Sequence, residues 1–167
     1  MAVSDAIISR AKTVSEMLGG GKYTIAIAES FTGGNVVASL VAIPGASSFV
    51  LEGLTCYSNE SKHLRLGVKL KTLDEFGAVS ENTVREMING LLFSPLKPDF
   101  AVATTGNAGP GVEPLSERGE CYVAAGSKSG IFVKKLLLTG SREENISVGT
   151  REALEVLIKL VKNQRGE

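Results

Sequence analysis

Ile25-Ala26-Ile27-Ala28-Glu29-Ser30-Phe31-Thr32-Gly33-Gly34 is the stretch on which the fold turns. A short apolar run ends in Glu29-Ser30, and a glycine pair follows before apolar residues resume at Val36. The pattern predicts a buried strand, a tight loop and the first turn of a helix. A loop of that kind presents backbone N–H groups and hydroxyls at a helix N-terminus, where anionic groups bind well. Gly33 and Gly34 permit close backbone approach and unusual dihedrals. The segment is neither GxGxxG nor a P-loop with its Lys, so no standard dinucleotide or NTP motif names the ligand. Two accounts stand side by side. Ser30 or Thr32 simply caps the next helix, or both join Gly33 and Gly34 in holding a phosphate or another polar group. Glu29 is either an orienting or substrate-hydroxyl ligand, or a buried structural acid.

Working outward, residues 4–18 carry Ile7, Ile8, Ala11, Val14, Met17 and Leu18 at helical spacing, with Ser4 as a cap and Gly19-Gly20-Gly21 as the stop. Strands are predicted over 23–28, 51–56 and 99–104. Residues 120–125 and 131–138 pair most simply as a hairpin around 127–130. Helices are predicted over 34–42, from Ser80 to about Leu92, and over 143–161. Residues 60–62 read as a polar turn, 68–76 as short irregular or helical structure, and 106–119 as a long Gly/Pro loop. The order implies a layered α/β (or α+β) sandwich, with a mixed sheet flanked by helices in a single domain over 1–167.

The chain has 167 residues and is 43% apolar, enough for one domain with a proper core. Its 18 basic and 18 acidic residues balance, and Lys69, Lys71, Lys134 and Lys135 are scattered, so no nucleic-acid partner is expected. One His and two isolated Cys argue against a metal site, and no cofactor is called for. Cys56 and Cys121 read as reduced core thiols. The chain shows no signal-peptide core and no run of membrane-spanning length, so a cytoplasmic protein without a membrane partner is expected.

Three further segments carry chemistry. Pro44-Gly45-Ala46-Ser47-Ser48 is a rigid small-residue turn: Ser47 either caps a short helix or is a nucleophile. A nucleophilic Ser needs a base. Lys62 serves if burial or nearby cations lower its pKa, and is otherwise a solvated side chain. Tyr57 and Asn59 are either polar wall residues or the end of a strand. Thr105-Gly106-Asn107-Ala108-Gly109-Pro110-Gly111 follows a buried strand, as a plain connection or as a second pocket wall.

Taken together, Ala28–Gly34, Pro44–Ser47, Tyr57–Lys62, Leu66-Gly67-Val68, Gly77–Ser80 and Thr105–Pro110 resemble the C-terminal domain of the CinA, competence/damage-inducible protein family. The family's other, molybdopterin-binding-like domain is not part of this match. The family includes nicotinamide mononucleotide deamidases, in which a Ser/Lys pair is implicated. By motif position the resemblance implies Ser47 as nucleophile, Lys62 as general base and Thr105 as an active-site hydroxyl. It implies Glu29, Ser30, Thr32, Gly33, Gly34, Tyr57, Asn59, Gly106 and Arg142 around the substrate, with the phosphate on the Ser30–Gly34 helix start. It also implies a pyridine-nucleotide partner and a homo-oligomer. The sequence departs from the family pattern at Ile146, where a second Arg is usual, and over residues 111–119. A catalytically degenerate nucleotide-binding or regulatory module, and a structural or interaction protein, are the competing readings.

Overall fold

The chain alternates strand and helix before ending in a hairpin and a long helix, as seen in a computed structural model that describes residues 4–167. The strands are β1 (Ile25–Glu29), β2 (Val50–Thr55), β3 (Phe100–Gly106), β4 (Glu120–Ser127) and β5 (Gly130–Leu137). The helices are α1 (Asp5–Leu18), α2 (Asn35–Val41), α3 (Asn59–Leu66), α4 (Leu70–Phe76), α5 (Glu81–Leu92) and α6 (Arg142–Arg165). The sheet order is β2-β1-β3-β4-β5. β1 runs parallel to both β2 and β3, whereas β4 and β5 continue antiparallel, so the sheet is mixed as expected.

Side-chain size, rather than polarity, alternates along the central strands. Ile25 and Ile27 of β1, Phe100 and Val102 of β3, and Cys121 and Val123 of β4 enter one core with α1, α2 and α6. Ala26, Ala28, Ala101, Ala103 and Ala124 face the other side. These short side chains leave room for α5 to lie close, with Val84, Met87, Ile88, Leu91 and Leu92 buried as its periodicity predicts. A Cβ on Gly126 would come within 2.4 Å of Ile88 Cγ2, which shows how near α5 passes.

The topology positions the site. The chain leaves β1 for β2 through α2 on the large-residue face, and reaches β3 through α3, α4 and α5 on the alanine face. The connections therefore diverge beyond the carboxyl ends of β1 and β3, where doubly wound sheets open a crevice.

Two expectations change. Residues 59–66 are helical rather than a polar turn, with the Ser58 hydroxyl accepting from Ser61 N–H and Gly67 (φ 68°) closing the helix. Only Lys62 and Leu66 of this helix are buried, so it carries no apolar stripe for periodicity to detect. Ser4 stands at the start of α1, but its hydroxyl makes no capping bond. No described helix is long and apolar enough to cross a membrane. Cys56 and Cys121 are buried free thiols, and burial pushes Cys121 up to about 12.

At Gly90 two effects oppose each other. Alanine favours a helix interior over glycine by about 1 kcal/mol, but a Cβ there would lie 2.1 Å from the Leu66 carbonyl oxygen. That oxygen is backbone, so relief requires moving α3 against α5. Gly90→Ala is predicted to lower stability by about 1–3 kcal/mol in urea unfolding. An unchanged or raised midpoint would show that the two helices are not in close register.

Candidate functional site

Glu29 organises the loop from beneath. It is 1% exposed at the end of β1. Its Oε2 accepts from Thr32 Oγ1 at 2.6 Å, Gly34 N–H at 3.1 Å and Val36 N–H at 3.0 Å, while Oε1 accepts from Val37 N–H at 2.9 Å. A carboxylate thus satisfies the orphan donors of α2 and complements its dipole. Thr32 Oγ1 also meets Thr104 Oγ1 at 2.8 Å, tying the loop to β3. Gly33 and Gly34, at φ 62° and 98°, supply the turn that brings the chain back over Glu29. At the expected phosphate seat, the Gly34, Val36 and Val37 N–H groups of the helix start are spent on an internal carboxylate. Glu29, Thr32, Gly33 and Gly34 build the loop without lining the cleft beside it.

That cleft has a volume of about 710 Å³ and lies beyond the carboxyl ends of the parallel strands. It gathers Ser30, Tyr57, Asn59, Lys62, Thr105, Gly106 and Arg142 from the sequence reading. Lys62, 2% exposed, extends from α3. Its Nζ lies 3.0 Å from Ser30 Oγ and donates to the Cys56 carbonyl at 3.1 Å and the Tyr57 carbonyl at 3.2 Å. Burial lowers its pKa to about 8 against the opposing pull of Cys56 and Glu113. Ser30 is held by its own N–H, which donates to the Thr104 carbonyl at 3.1 Å and to Thr104 Oγ1 at 3.2 Å. Among the described residues, the next N–H, on the cleft-lining Phe31, has no hydrogen-bond acceptor.

Ser47 is elsewhere. It is exposed on a single 3₁₀ turn at Ala46–Ser48, which leads into the amino end of β2. Lys62 approaches the carboxyl end of that strand through Cys56 and Tyr57. Six strand residues separate the two ends, a rise of roughly 20 Å. The structure therefore pairs Lys62 with Ser30 rather than Ser47.

Thr105 lines the cleft, but its hydroxyl donates to the Ala78 carbonyl at 2.6 Å, so it offers the cleft a lone pair rather than a proton. Arg142 bridges the walls, donating to the Gly109 carbonyl at 2.6 Å and Tyr57 Oη at 2.9 Å. Ile146 does not reach the cleft; it packs against the large-residue core.

Two cleft-loop residues receive no individual role from the sequence reading. Buried Asn107 donates to Ser116 Oγ and the Glu117 carbonyl, both at 2.8 Å, and accepts from Glu113 N–H at 2.9 Å. An Asn just after a strand, inside a Gly/Pro loop, is the signal that marks such a loop organiser. Glu113 lines the cleft from the loop between β3 and β4. Among the described residues, no three His, Cys, Asp or Glu side chains gather as a metal site would require.

A family model described as the CinA C-terminal domain matches residues 8–161. A Clostridioides difficile (strain 630) protein with a competence-damage inducible name is 43% identical over 164 residues, covering 97% of this chain and 39% of its own length. A CinA-like protein of Fusobacterium nucleatum is 40% identical over 145 residues, covering 86% of this chain and 35% of its own. The chain thus spans under two fifths of these relatives. Solved structures match over nearly their whole length. A competence/damage inducible protein from Agrobacterium tumefaciens superposes with TM-score 0.89 at 33% identity, covering 96% of this chain and 98% of that one. A CinA superfamily protein from Klebsiella pneumoniae gives 0.88 at 30%, covering 94% and 98%.

Removing the Glu29 carboxylate leaves three backbone N–H groups and the Thr32 hydroxyl without their acceptor. Glu29→Ala is predicted to cost about 3 kcal/mol or more in chemical unfolding. A loss below about 0.5 kcal/mol would mean that the carboxylate does not hold the loop.

Proposed function

The chain belongs to the CinA C-terminal domain family, and from that membership and the Ser30–Lys62 contact we propose that the cleft hydrolyses the carboxamide of nicotinamide mononucleotide to nicotinate mononucleotide and ammonia. The observation that carries the reading is the buried Lys62 Nζ, 3.0 Å from Ser30 Oγ, with two carbonyls as its other partners. A neutral lysine has two N–H donors and one lone pair. With both donors on the Cys56 and Tyr57 carbonyls, the lone pair faces the Ser30 hydroxyl. With a pKa of about 8, roughly a tenth of Lys62 is neutral at pH 7, against a negligible share of an ordinary lysine.

Ser30 Oγ attacks the carboxamide carbon as its proton passes to Lys62 Nζ. The Lys62 ammonium returns that proton to the amide nitrogen, the C–N bond breaks and ammonia leaves. Water then attacks the Ser30 ester, giving its proton to Lys62, and the carboxylate product departs as Ser30 regains a proton. The free Phe31 N–H, one residue beyond the nucleophile, is the donor for the developing oxyanion. A cleft of about 710 Å³ accommodates a mononucleotide. Arg142, with N–H donors to spare beyond Tyr57 and Gly109, is the cation for its phosphate. The partner is a pyridine nucleotide, and a self-associated chain belongs to the same reading.

Purified protein is predicted to release ammonia from nicotinamide mononucleotide. Ser30→Ala and Lys62→Met each lower turnover about 10²–10⁴-fold, whereas Ser47→Ala retains it. Loss in the Ser47 variant with retention in the Ser30 variant would overturn the assignment. Nucleotide binding without ammonia release would make the domain a binding or regulatory module. Because only neutral Lys62 accepts the proton, kcat/KM is predicted to rise with pH through a midpoint near 8. A flat profile between pH 6.5 and 9.5 would exclude Lys62 as the base.

A further inference from the structure

We propose that Glu113 sets the substrate class of this cleft, favouring carboxamides that carry a positive charge beside the amide over neutral ones; the proposal rests on the amidase reading of the same site. Glu113 lines the cleft that holds Ser30 and Lys62. Its backbone is pinned on both sides: its N–H donates to Asn107 Oδ1 at 2.9 Å, and its carbonyl accepts from Ser116 Oγ at 2.7 Å. Among the described residues its carboxylate enters no ion pair, although six ion pairs occur elsewhere. It therefore lines the cleft as an acidic residue without an ion-pair partner among the described residues.

The position of that charge matters because the ionisable group in contact with Ser30 Oγ is the Lys62 amine. Lys62 stands beside Ser30 at the floor and repels a substrate cation. The field of Glu113 reaches Lys62, favouring its ammonium form. A cationic ring with its carboxamide at Ser30 Oγ sits in the same field. Glu60 also lines the cleft, but it occupies the first turn of α3, where the helix dipole holds its charge.

The test uses the full chain carrying Ser30→Ala to block turnover. Calorimetry compares nicotinamide mononucleotide with its neutral isostere, benzamide riboside 5′-monophosphate. The cationic nucleotide is expected to bind more tightly. Adding Glu113→Gln should cut that preference about fivefold by weakening the cationic ligand alone, and Glu113→Asp should restore part of it. Equal affinity for the two ligands, binding of neither, or a preference unchanged in Glu113→Gln would overturn the proposal. The two readings fail separately. Absence of ammonia release by the unaltered chain, with the charge preference intact in the Ser30→Ala chain, rejects the amidase and keeps the role of Glu113.

Discussion

A carboxylate buried at the start of a helix holds this site together. Glu29 is removed from water, a costly state for a charge unless hydrogen bonds replace its hydration. Here three backbone N–H groups of the α2 start and the Thr32 hydroxyl replace it. The loop between β1 and α2 is thereby closed on itself, and Ser30 is fixed at the mouth of the sheet. Thr104 holds the Ser30 N–H from the neighbouring strand, and the Ser30 hydroxyl meets Lys62 Nζ.

Two buried ionisable side chains bracket Ser30, Glu29 as its neighbour in sequence and Lys62 as its neighbour in space, and their surroundings differ. Glu29 accepts four hydrogen bonds from the loop that it closes. Lys62 has two carbonyls and one hydroxyl for its ammonium, too little to offset its burial, so its proton is held loosely. The first group closes the loop, and the second is the one to which the proposed function assigns proton transfer. Both depend on the alanine face: the short side chains of β1 and β3 admit α5, α5 supports α3 at Gly90, and α3 carries Lys62 into the cleft.

The strand–loop–helix at 25–41, the buried stripe of α5, the hairpin and the long last helix are legible in sequence because each follows a hydrophobic period or a turn signal. The lysine of the proposed pair is legible too. Its serine is not. Ser30 and Ser47 both sit in small-residue turns before apolar segments, and only the parallel register of β1 and β2 shows that they occupy opposite ends of the sheet. α3 is hidden because a lysine is one of its two buried residues. Glu113 is hidden because its place in the cleft depends on Asn107 folding a loop that has no periodicity. Ile146 packs against the large-residue core and is not among the residues that line the cleft.

The central claim is that Lys62 activates Ser30 and no other hydroxyl. Labelling the folded chain with a serine-reactive fluorophosphonate, followed by peptide mass spectrometry, tests it most directly. The account predicts one adduct, on the peptide containing Ser30, that disappears in Lys62→Met. An adduct on Ser47, no adduct on Ser30, or labelling of Ser30 that survives loss of the lysine would contradict it.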